Sequence, residues 1–210
     1  MGIFDNLRRN IEQGAKSAVN RGIRQGVNNA VNGAVNNAVN AASNKVREIS
    51  FQTLPTTLAE MQALPEASMT DPFAVAALTV IALNEYTINK EVALQMLDFL
   101  NGPNTVSQSD IQFLRDRAMD GHTYIARSYF KGATPDNNYT PSMPYTVKVM
   151  MNSYSQRAEN YLALWVYSGG ADSPREVQLR LKPSTGQWFA NMWNGLLSGI
   201  RMPKADDPWA

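Results

Sequence analysis

His122 is the one histidine of this 210-residue chain, and no cysteine accompanies it. A histidine can serve as general acid or base. Its place just past Gly121, at the end of a helical stretch, suits a favourable charge at a helix C-terminus instead. A hydrolytic carboxylate pair needs two acids facing each other across a cleft. The acids here fall on expected helix surfaces (Glu60, Glu85, Glu91, Asp98, Asp110, Asp116) or in loops (Asp136, Asp172, Asp206, Asp207), where solvation accounts for them. Gly132 and the pair Gly169-Gly170 are turn glycines without the neighbours that a phosphate-cradling loop requires. The lack of cysteine removes disulfides, thiolate metal sites and cysteine nucleophiles together. No cofactor and no metal is expected, and catalysis has no support in these residues.

The aromatic residues say more. If Leu162, Leu164 and Val166 face a core, then Tyr161, Ala163, Trp165 and Tyr167 line the opposite face of the same strand, with Lys148 and Arg180 added from its neighbours. Rings interleaved with basic groups on a sheet can stack bases or sugars. A formal net charge of +1 disfavours nucleic acid. The plainer alternative is a sheet covered on that side as well. Tyr129, Asp136 and Tyr139, with Trp165 and His122, would border a cleft between the 129–145 loop and the sheet, the place for a small ligand or a reaction if there is one. Trp209, near the C-terminus, is expected to dock, most simply on its own domain.

These residues need elements to hold them. Asp71 as N-cap and Pro72 at the first helical position introduce "FAVAALTVIALNEY", apolar nearly all round and therefore a central, buried helix through about Tyr86. "KEVALQMLDFL" predicts a second helix from Asn89 to Gly102-Pro103. "QSDIQFLRDRAM" predicts a third, opening at Ser107 with Asp110 three residues on and ending at Gly121. "YFKGATPDNNYTPSMPY" is a turn-rich loop over 129–145. Four strand candidates follow, "YTVKVMMN", "YLALWVYS", "REVQLRLK" and "GQWFANMW", separated by hairpin-sized breaks. The expected body, 53–210, is α+β: a three-helix layer packed on a four-stranded antiparallel meander.

Residues 1–48 differ from that body. They carry seven Lys or Arg against three Asp or Glu, and from Gln25 to Asn44 no side chain ionises. A four-residue repeat of a small residue followed by Ile or Val runs through Gly22, Gly26-Val27, Ala30-Val31, Ala34-Val35 and Ala38-Val39. On a helix each valine sits about 40° further round than the last, and the small residues form a shallow groove for a close neighbour. Val, Asn and Gly are poor helix formers, so a long N-terminal helix here needs support from outside itself. The expectation is a homo-oligomer, assembled through Gly22, Gly26, Val27, Ala30, Val31, Ala34, Val35, Ala38 and Val39. A second option is a peripheral segment on a membrane surface, bracketed by Arg21, Arg24, Lys45 and Arg47. A third is a low-complexity linker. No window is apolar enough to span a bilayer, and no signal peptide is evident at the start, so the expected location is cytoplasmic.

"SYFKGATPDNNYTPSMPYTVKV", "GADSPREVQLRLKPSTGQWF", "GIRMPKADDPWA" and "LPEASMTDPFAVAALTVIAL" together resemble an uncharacterised bacterial domain family of unknown function found in Gram-positive anaerobes. The resemblance covers about 53–210 and leaves the N-terminal repeat outside. It implies no activity, cofactor or catalytic residue. Stretches rich in turn formers and rings, and poor in catalytic pairs, suit a partner-binding role better than an active site.

Overall fold

The computed structural model describes residues 45–118 and 122–209. The expected N-terminal helix and its self-association residues, Gly22 to Val39, lie outside the described residues. What is described is α+β, with an antiparallel sheet of six strands.

The buried helix forms as its sequence predicts. It runs Pro72–Glu85 and is α2 here; Asp71 Oδ1 accepts the Phe73 N–H at 3.0 Å, and every residue from Phe73 to Glu85 is buried. Before it comes a single turn, α1 (Leu58–Gln62), capped by Thr57, whose hydroxyl accepts the Glu60 N–H at 3.2 Å. After it, α3 (Lys90–Asn101) is capped by Asn89 and stops at Gly102 (φ 69°), where a Cβ would strike the Phe189 ring. Next, α4 (Gln108–Arg117) opens on the Ser107 hydroxyl and ends short of the expected Gly121 stop. A one-turn helix, α5 (Tyr124–Arg127), precedes the long loop. The two single turns, α1 and α5, are too short for helical periodicity to reveal.

The four expected strands are present, and two more join them. In chain order the strands are β1 (Lys45–Phe51), β2 (Tyr145–Met151), β3 (Gln156–Ala158), β4 (Tyr161–Val166), β5 (Arg175–Lys182) and β6 (Gln187–Met192). Their order across the sheet is β1-β2-β4-β5-β6, with β3 pairing β4 at its side. The expected four-stranded meander is therefore corrected to six strands. The expected break after residue 48 falls inside β1, which pairs with β2 from Lys45↔Met151 to Phe51↔Tyr145. A single strand whose partner lies some hundred residues away carries no hairpin signal, so its alternation of Arg47, Ile49 and Phe51 reads equally well as loop.

One sheet face packs on the helices. Val147, Val149, Leu162, Leu164, Val166, Val177 and Leu179 are buried, with α2 lying against β1, β2, β4, β5 and β6. The register pairs Leu162 with Leu179 and Leu164 with Val177, placing apolar side chains opposite one another on that face. Among the described residues, no helix is long and apolar enough to cross a membrane.

Candidate functional site

Strand alternation sends the intervening residues to the other face, where rings and cations meet. The β4–β5 register sets Tyr161 opposite Arg180, and the Arg180 guanidinium lies 5.3 Å from the Tyr161 ring centre. Lys148 on β2 holds its Nζ 4.5 Å from the Tyr167 ring. Arg157 on β3 sits 5.7 Å from the Trp165 ring and bonds Glu176 on β5 at 2.7 Å. The Tyr167 hydroxyl donates to Met150 Sδ at 3.4 Å. Three successive ring and cation pairs thus cross four strands, each contributing about 0.5–1 kcal/mol at such exposure. Tyr161, Trp165, Tyr167 and Lys148 are half-buried and Arg180 is exposed. Neither Lys148 nor Arg180 has a carboxylate partner among the described residues, so both charges are available to a partner.

The surface residues expected to act together therefore divide into separate groups. Lys148, Trp165, Tyr167 and Arg180 share the outer sheet face. Tyr129 and Tyr139 do not reach it. Tyr129 is buried, and its hydroxyl donates to the Leu196 carbonyl at 2.6 Å. Tyr139 is fully buried, donates to the Arg201 carbonyl at 2.6 Å and stacks on Tyr124 at 5.4 Å. Burial pushes the Tyr139 hydroxyl up to about 12, with Tyr124 adding to the rise and Arg201 opposing it. Burial likewise raises Tyr129, against a smaller lowering by Arg175. Both phenols are spent on fastening the 129–145 loop to the chain beyond β6. Asp136 is exposed on the far side of that loop, 3.6 Å from Lys204. His122 is exposed, and its ring meets the edge of Tyr124 at 5.6 Å. The cleft expected to unite Tyr129, Asp136, Tyr139, Trp165 and His122 does not form.

Two further expectations change. Trp209 does not dock on its own domain; it is 93% exposed. Glu85 is not a solvated helix-surface acid but is 4% exposed, and burial raises its pKa, with the charge of Glu60 adding to the rise. Glu60 itself is held low, first by the Thr56 N–H that it accepts at 2.7 Å and then by the Thr56 hydroxyl. Glu85 and Asn84 line a groove of about 520 Å³ closed on one side by Tyr139, Pro141, Met143 and Tyr145. The sequence signal for this groove is an acid at the end of an otherwise apolar helix. Arg157 has no such signal, because β3 is three residues long and irregular in register.

A family model described as a domain of unknown function (DUF6935) matches residues 53–204. The match takes in every helix and strand described here except β1. No curated protein and no solved structure matches the chain.

Proposed function

The chain belongs to the DUF6935 family, and from that premise we propose that it is a non-enzymatic interaction and assembly protein. The segment from Gly22 to Val39 carries self-association, and the body displays the outer sheet face to a protein partner. The observation that supports this most is that face: three ring and cation pairs on one side of the sheet, with neither Lys148 nor Arg180 ion-paired among the described residues. Rings with guanidinium and ammonium groups match acidic or planar partner groups, and aromatic residues with arginine are enriched where protein interfaces bind most strongly. The dispersal of His122, Asp136 and the two buried tyrosines favours binding over catalysis, since acid-base chemistry needs its groups within hydrogen-bond reach of one substrate. The small-residue stripe from Gly22 to Val39 is the assembly element of this proposal, because its four-residue step of small residues and valines suits close packing against a copy of itself.

Sedimentation of the full chain tests the assembly half. The wild type is expected to exceed the mass of one chain, and the double substitution Val31→Asp with Val35→Asp to return it to a monomer. Equal particle masses for the two would end the proposal. Any truncation must begin at Lys45, because a cut after residue 48 removes half of an edge strand.

A further inference from the structure

We propose that the groove between the C-terminal turn of α2 and the 139–145 segment binds an organic ammonium group carried on an apolar stem. This site is independent of the outer sheet face. Its volume, about 520 Å³, lies within the range of small-ligand sites, roughly 300–1,000 Å³.

The charge logic rests on Glu85. It is 4% exposed and its neighbour Asn84 6%, and both line the groove. No described side chain gives the Glu85 carboxylate a hydrogen bond or an ion pair. A carboxylate so largely withdrawn from water and without a protein partner is costly, and a cation seated beside it in the groove relieves that cost. The charged and titratable groups around it are Glu60 from α1, Arg127 from α5, Tyr139 from the loop and Tyr145 from β2. Arg127 is exposed on the same groove yet forms no ion pair with Glu85. Glu60 makes the locality more negative still.

The rim decides what kind of cation fits. Ile88 and Met143 are 67% and 62% exposed and line the groove with Pro141, giving it an apolar lip. A divalent metal needs about six oxygen ligands, far more than one carboxylate and one amide supply. An ammonium carries three donors; the Glu85 carboxylate supplies the charge and acceptors for it, Asn84 lines the same groove, and Ile88 and Met143 line it for the stem. Free alkylamines and the lysine side chain of a peptide share this chemistry.

Calorimetric titration of the full chain with n-butylamine, and separately with Nα-acetyl-lysine amide, tests the site; n-butanol serves as the uncharged control. Saturable binding of n-butylamine and none of n-butanol is expected, with Glu85→Gln weakening it at least about tenfold. Ile88→Ser, at an exposed position that contributes little to the core, is expected to weaken it several-fold. Equal Glu85-dependent binding of acetyl-lysine amide assigns the stem to a peptide, and binding of n-butylamine alone assigns it to a free amine. Saturable binding of neither probe overturns the proposal, as does undiminished affinity in Glu85→Gln. Should Glu85→Gln fail to fold, undiminished affinity in Ile88→Ser overturns it equally.

Discussion

Trimming the chain to begin at Ile49 rather than Lys45 probes where the body starts, so residues 45–210 and 49–210 should be compared directly. The shorter chain loses four register positions of β1, from Lys45↔Met151 to Glu48↔Lys148. An antiparallel pair of that length carries about four backbone hydrogen bonds. Their loss leaves groups at a water-exposed edge, so each costs about 0.5 kcal/mol, the lower end for such bonds. The Arg47–Asp71 ion pair at 2.6 Å disappears as well; half-exposed, it is worth roughly 0.5–1 kcal/mol. Lys45 and Arg47 also cover the Phe73 ring, at 5.9 and 5.0 Å, and uncovering it adds about 1 kcal/mol. The total is about 3.5–4 kcal/mol, a large share of the roughly 5–15 kcal/mol that holds a domain together. With a urea dependence of about 2 kcal/mol per molar, the unfolding midpoint should fall by about 2 M. Midpoints agreeing within about 0.3 M would show that β1 contributes nothing beyond its buried end, Ile49 and Phe51, and would refute the reasoning.

Three further outcomes follow from the same packing. Burial raises the Glu85 pKa, so the fold favours its protonated form; the cost is nil where both states are protonated and grows as pH climbs from the ordinary carboxylate range toward the raised value. Glu85→Gln should therefore be more stable than the wild type at neutral pH and converge with it below about pH 4, as read by urea midpoints at both pH values. Tyr139→Phe removes the donor to the Arg201 carbonyl and should cost about 1–3 kcal/mol, whereas a wild-type midpoint would mean that the carbonyl finds another donor. Leu164→Ala opens a cavity in the fully buried sheet face and should cost about 2–5 kcal/mol by chemical denaturation.

Much of the fold is legible in local pattern. The alternation of Val177, Leu179 and Leu181 with Glu176, Gln178 and Arg180 marks β5 closely, and Asp71-Pro72 marks the start of α2. The outer-face arrangement of Tyr161, Trp165 and Tyr167 with Lys148 and Arg180 is equally readable, because a two-residue period assigns faces once one face is known to be apolar. β1 is not, since its pairing partner lies beyond five helices and a loop.

Local sequence dictates that β4 and β5 are strands, that α2 is a buried helix and which face of β4 carries the rings, because these follow from side-chain period and capping within a few residues. It does not dictate that β1 closes the sheet edge, or that Tyr129 and Tyr139 bind backbone carbonyls rather than a ligand. Nor does it dictate that Glu85, beside an apolar rim, has no hydrogen-bond or ion-pair partner for its carboxylate among the described residues. Those outcomes depend on what the chain brings from far away into contact, and solvation, hydrogen bonding and charge are settled by that contact rather than by a residue's neighbours in sequence.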